Sequence, residues 1–345
     1  MKFIKPIRLK QGDTVAVVSP SWGGPSVFPA VYESGIRALN ELGLKVKEYP
    51  TTRAKADYLH SHPKAKAKDI NDAFGDLEIE AIFASIGGDD SIRILPYLNP
   101  EIIKKNPKIL IGYSDTTTLL TYCNQLGIVT FHGPAIMAGF SQWNNAPRKF
   151  KEHVKKMLFE PQQFYEYQHY DSFSEKYPDW SNPKNIGKLG KMKKASNWRW
   201  LQGEGIVRGR LFGGCVEVME FMKGTQFWPS MDFWKNKILF LETSEDKPTP
   251  DQVKYMLRNY GMQGVYDNIS ALMIGRARDY SDKEKETLYK HAREIIGEEF
   301  KHPNLPIVAN MDFGHTDPQF ILPLGVEAEV DCKRRTFRLT ECPLK

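Results

Sequence analysis

Apolar residues arrive in short bursts along the first 135 positions, separated by longer stretches with helical spacing. Thr14–Val18 is an apolar burst that stops at Ser19–Pro20. Phe28 to Leu42 then carries Val31, Ile36, Leu39 and Leu42 at helical intervals and ends at Gly43. Lys45–Tyr49 reads as a second strand and Lys64 to Phe74 as a polar helix. Ala81–Ile86 is wholly apolar and runs into Gly87–Gly88. Lys108–Ile111 is the next strand, Asp115–Leu126 the next helix, and Ile128–Phe131 a further strand before His132–Gly133–Pro134. Strands alternating with helices of this length predict βαβ units and a mostly parallel sheet. In such sheets ligands gather at the carboxyl ends of strands. Ser19, Gly87–Gly88 and Ser114 all follow strands, so they are expected on one edge.

A helix over Phe150–Leu158 closes this part. From Glu160 to Gln202 the periodicity fades and Tyr, Trp, Lys, Ser and Asn dominate. That stretch reads as an inter-domain linker with an elaborated loop, since so long an irregular segment is usually functional or mobile. Regular pattern resumes at Gly205–Phe212, followed by Gly213–Gly214 and a helix through Met222. Further strands are expected at Lys237–Leu241, Ile269–Ile274 and Pro306–Ala309, and helices at Pro250–Tyr260 and Lys283–Ile296. The expected division is 1–160, 161–202 and 203–345.

Composition narrows the function classes. The 345 residues are 41% hydrophobic and 26% charged, ordinary values for a globular chain. The net charge of +6 is scattered; its densest run, Lys188 to Lys194, reads as a solvated face rather than a nucleic-acid surface. No apolar run approaches the roughly 18 residues of a membrane span, and the basic first ten residues have no apolar core of a signal peptide. Cys123, Cys215, Cys332 and Cys342 form no C-x-x-C pair and no disulfide-like spacing, so reduced thiols and a cytoplasmic location are expected. H-E-x-x-H, G-x-x-x-x-G-K-[ST] and G-x-G-x-x-G are all absent, and no metal or organic cofactor is expected.

The chemistry concentrates at strand ends. Ser114, in Gly112–Tyr113–Ser114–Asp115, stands between a buried strand and a helix. It is either a helix cap or a nucleophile on a tight turn whose backbone N–H groups face a developing oxyanion. A nucleophilic serine needs a base. Six of the eight histidines, His60, His62, His153, His169, His291 and His302, read as surface residues. His132 and His315 instead follow apolar strands. His315 lies in a glycine-containing loop after Ile307–Ala309, free to turn. Glu242 follows four apolar residues, where a carboxylate is costly unless paired; the alternative is a helix-capping acid ahead of Pro248–Pro250. Ser114, Glu242 and His315 thus supply nucleophile, orienting acid and base in the order Ser…Glu…His.

The segments VAVVSPS, AIFASIGGDDS, LIGYSDTT, FHGP, GRLFGG, ILFLETSED and NMDFGHTDP, in this order from residue 15 to about 325, resemble the LD-carboxypeptidase family of serine peptidases, which includes the microcin-C immunity peptidases. The resemblance implies an α/β fold, with a flavodoxin-like parallel-sheet N-terminal domain and a smaller β-rich C-terminal domain, and a homodimer. It implies Ser114, Glu242 and His315 as triad, and the backbone N–H groups of Gly88 and Asp115 as oxyanion donors. Two departures stand out: SIGGDDS replaces the RGGYG of murein-recycling members, and Cys215 follows Gly213–Gly214 where an asparagine is common. Trp198 and Trp200 resemble the microcin-immunity branch, in which a loop aromatic stacks on a nucleobase; the alternative is anchoring of the linker.

The expected activity is therefore amide hydrolysis through an acyl-enzyme. The expected substrate is a small peptide or peptidyl-nucleotide of the microcin-C type, or else an L,D-linkage in a muropeptide. A non-enzymatic reading, with Gly87–Gly88–Asp89 as a phosphate nest, remains as a different class.

Overall fold

The computed structural model describes residues 2–345. Five short parallel strands form the first sheet: β1 (Thr14–Val18), β2 (Lys45–Glu48), β3 (Ile79–Ala84), β4 (Ile109–Gly112) and β5 (Thr130–His132). Their order is 2-1-3-4-5, the doubly wound order of flavodoxin-like sheets. β4 and all but one residue of β3 are buried, as expected of parallel strands covered on both faces. The covering helices show why they form where they do. Pro29–Glu41 starts on a proline and buries Val31, Tyr32, Gly35, Ala38 and Leu39 along one stripe. Arg148–Leu158 buries Phe150, His153, Val154, Met157 and Leu158 at the same periodicity.

The second sheet is assembled from β6 (Tyr165–Glu166), β9 (Arg199–Gln202), β10 (Ile206–Cys215), β11 (Lys237–Glu242), β12 (Ala271–Gly275), β13 (Ile307–Met311), β15 (Glu327–Asp331) and β16 (Thr336–Leu339). β7 (Ser172–Phe173) and β8 (Lys193–Lys194) pair separately. β10, β11, β12 and β13 run parallel, and antiparallel strands flank them on both sides. Residues 160–202 are thus more than a linker. β6 pairs with β16 at one edge and β9 with β13 at the other. Their short, irregular pairings carry little periodicity, which is why the sequence pattern missed them.

The two sheets share one contiguous core and exchange chain. β14 (Leu322–Leu324) leaves the second half and pairs antiparallel with β5 at the edge of the first sheet. His153, from the first half, accepts the Ile321 N–H at 2.8 Å, and Tyr167 donates to the Ile321 carbonyl at 2.8 Å. His153 and His291 are therefore buried rather than on the surface as the sequence suggested. His153 follows Phe150 by three positions and so lies on the buried stripe of its helix. Where the sheets meet, Thr117 accepts the Cys215 N–H at 3.2 Å. Among the described residues no helix is long and apolar enough to cross a membrane.

Candidate active site

β4 ends at Gly112, and the chain turns through Tyr113 into a short 3-10 turn, Ser114–Thr116, before the helix Thr117–Gln125. Ser114 has φ of 59°, the left-handed region that a non-glycine residue occupies only when its surroundings impose it. Neither the 3-10 turn nor the helix carries a side-chain cap, so the geometry departs from simple capping. It is that of a strand-to-helix turn that projects a hydroxyl. The turn after β3 lies directly against it. A Cβ added at Gly87 would stand 2.7 Å from Ser114 Cβ, 2.8 Å from Oγ and 3.3 Å from the Asp115 nitrogen, so only glycine allows this approach. Asp115 is held in turn by Ser91, whose N–H donates to its carboxylate at 2.8 Å and whose hydroxyl donates to its carbonyl at 2.7 Å.

Glu242 is the last residue of β11 and is fully buried. It does not cap the following helix, which is capped by Thr249 and Gln252. Its Oε2 lies 2.7 Å from Nδ1 of His315, on the loop between β13 and β14. Gly275 and Gly314 pack against the Glu242 side chain: a Cβ at Gly275 would stand 2.9 Å from its Cβ, and one at Gly314 2.6 Å from Oε2. Burial of the His315 ring opposes its charge, but Glu242 and then Glu245 outweigh that, and the pKa is pushed up to about 10. Glu245 Oε2 stands 2.9 Å from the other ring nitrogen, Nε2, without the alignment of a hydrogen bond. Glu245 itself is held down at about 2, chiefly by His315. The imidazole meets the Tyr113 ring in a T-shaped contact, 4.9 Å between centroids. His132 is also buried nearby, its ring nitrogens without partners among the described residues, and burial lowers its pKa to about 4.

Ser114, His315 and the Gly87–Gly88 turn line one cavity of about 440 Å³, which matches the size of small-ligand sites. Its wall includes Trp22, Tyr177 and Trp180. Tyr177 is tied to Tyr113 through a 2.8 Å contact between hydroxyls and packs on Trp180 at 5.2 Å. Trp22 follows β1 by four residues, so the strand-end argument that singled out Ser19 contained the signal for it. Trp180 lies in the irregular segment, with no periodicity to mark it. Ser19 itself is turned inward, onto Thr52 and Ser85. Cys215, at the end of β10 beside Glu242, lines the cavity, and burial raises its thiol pKa, which disfavours the thiolate. Asp89 lines it as well, so an anion at a Gly87–Gly88–Asp89 nest would meet a carboxylate.

Trp198 and Trp200 are not brought to this cavity. They line a different one, with Tyr167 and His169. Trp198 Nε1 donates to Asp312 at 2.7 Å, and Asp312 is paired with the buried Arg276 at 2.7 Å. No group of three or more metal-ligating side chains occurs among the described residues.

Known proteins resemble this chain over nearly its whole length. Residues 15–133 match the family model of the LD-carboxypeptidase N-terminal domain, and residues 208–330 that of the LD-carboxypeptidase C-terminal domain. The microcin C7 self-immunity protein MccF of Escherichia coli is 30% identical over 338 residues, covering 96% of this chain and 94% of that one. The Bacillus subtilis protein named "Probable murein peptide carboxypeptidase" is 25% identical over 333 residues, covering 96% and 93%. The solved structure of MccF in complex with aspartyl sulfamoyl adenosine superposes with a TM-score of 0.87 at 28% identity, covering 99% of this chain and all of that one.

Proposed function

This chain belongs to the LD-carboxypeptidase family of serine peptidases, and from that premise we propose that it hydrolyses the acyl amide of a microcin-C-type peptidyl- or aminoacyl-nucleotide through Ser114, His315 and Glu242. The observation that carries the reading is that the left-handed Ser114 lines one cavity together with a buried histidine whose Nδ1 is held by a buried glutamate. In this mechanism Ser114 Oγ attacks the carbonyl carbon and its proton passes to His315 Nε2. Glu242 fixes the tautomer and stabilises the imidazolium that forms. The backbone N–H groups of Gly88 and Asp115 receive the oxyanion, in line with the close packing of the Gly87–Gly88 turn on Ser114. The imidazolium then protonates the leaving nitrogen, and water attacks the acyl-enzyme by the same base.

The aromatic wall of Trp22, Tyr177 and Trp180 supports the nucleotide over the muropeptide substrate. A planar base stacked on such a wall gains roughly 1–3 kcal/mol, which a muropeptide cannot match. The likeness to MccF in complex with aspartyl sulfamoyl adenosine points the same way. Mass spectrometry of the purified protein with aspartyl sulfamoyl adenosine and with an L,D-linked tetrapeptide tests the reading. Release of aspartate and sulfamoyl adenosine, lost in Ser114→Ala, is expected. Turnover of the tetrapeptide alone would transfer the assignment to muropeptide cleavage.

A further inference from the structure

The second ring nitrogen of His315 raises a difficulty. Nδ1 faces Glu242 at 2.7 Å and Nε2 faces Glu245 at 2.9 Å. A neutral imidazole has one N–H and one lone pair, so a ring between two carboxylates is stabilised with both nitrogens protonated. An imidazolium has no lone pair with which to take the proton of Ser114. The arrangement is thus a resting one, and one carboxylate must leave before the base can work.

The two carboxylates differ in their freedom to move. Glu242 ends a buried strand and packs against Gly275 and Gly314. Glu245 stands three residues further on, in the turn that follows, with its side chain 53% exposed. Its contact with Nε2 lacks hydrogen-bond alignment, and among the described residues it makes no other ion pair. It lines the same cavity as Ser114, so a bound substrate would share that cavity with it. We propose that Glu245 is a positioning residue that holds His315 in its resting state and withdraws when substrate enters, freeing Nε2. This rests on the triad reading above. As Glu245 withdraws, the ring releases its Nε2 proton to water and presents a lone pair to Ser114. The other groups around the ring are Glu242, Asp317 on its own loop, Arg278 after β12, whose charge also acts on Glu245, His132 at the end of β5 and the Tyr113 ring.

The test compares wild type, Glu245→Gln and His315→Ala. The ring charge is read by 15N NMR titration of His315 in a Ser114→Ala background, without turnover. Activity is read as the pH profile of kcat/KM on aspartyl sulfamoyl adenosine. Removing a carboxylate that favours the imidazolium lowers the pKa of the ring. In Glu245→Gln the ring should therefore lose its charge at a pH lower by about one unit, and the acid limb of kcat/KM should move with it. On that limb the variant should be up to about tenfold faster than wild type. An unshifted ring titration together with an unshifted acid limb would overturn the proposal. Retained activity in His315→Ala would instead overturn the triad reading beneath it, a separate outcome.

Discussion

At the scale of single residues, Ser114 combines a strained backbone with a small side chain. Ser114→Ala removes the hydroxyl and leaves the φ of 59° in place. Turnover should fall by several orders of magnitude, with a stability change of about 1 kcal/mol or less in urea denaturation. Gly87→Ala is expected to be damaging without replacing any proposed triad residue, because its methyl would overlap Ser114 and displace its hydroxyl; kcat should drop more than tenfold while His315 and Glu242 stay paired, as the NMR titration would report. The three proposed triad residues were legible in the sequence because each follows an apolar strand, where a polar group demands a reason. Glu245 was not. It sits in a run of polar turn residues, Thr243 to Lys247, where a carboxylate is unremarkable until the fold brings it to an imidazole.

Among the elements, the regular ones were predictable and the irregular ones were not. β1, β3, β4 and β11 begin or end within two residues of the apolar bursts that predict them. The stretch from 160 to 202 defeated the pattern because its strands are only two to four residues long. It delivers Trp180 to the Ser114 cavity and ties Trp198 to Asp312, three residues before His315. The two aromatics should therefore answer mutation differently. Trp180→Ala should weaken aspartyl sulfamoyl adenosine about tenfold or more and spare a plain peptide, measured as KM for each. Trp198→Phe removes a donor from a buried carboxylate and should cost about 2 kcal/mol of stability, with equal loss on both substrates. The helix carrying His153 makes a prediction in pH. Burial holds this ring near a pKa of about 3, so the folded state keeps it neutral while the unfolded chain protonates it below about 6.5. Stability should fall as pH drops through that interval, by roughly 1.4 kcal/mol per unit for this residue. In urea denaturation at pH 7 and pH 4.5, His153→Gln should show the smaller drop.

For the whole molecule, the exchange of β14 into the first sheet and the shared core tie the halves together, and they are expected to unfold as one unit. Calorimetry should show one transition whose van't Hoff and calorimetric enthalpies agree, and a fragment ending near residue 160 should lack the fixed tertiary packing of the same segment in the full chain. The sequence marked a boundary here because composition changes at 160, but composition cannot reveal that a later segment returns to the earlier sheet. That return has a temporal side. The loop bearing His315 is strung between β13 of one sheet and β14 of the other, so the proposed base should reach its station only when the late strand has docked beside β5. On a ribosome the turn holding Ser114 is made first, and at ordinary elongation speeds roughly ten to forty seconds separate its synthesis from that of β14. Throughout that interval the nascent polypeptide carries the proposed nucleophile without its proposed base, so on this reading the hydrolase stays inert until its closing strand has docked.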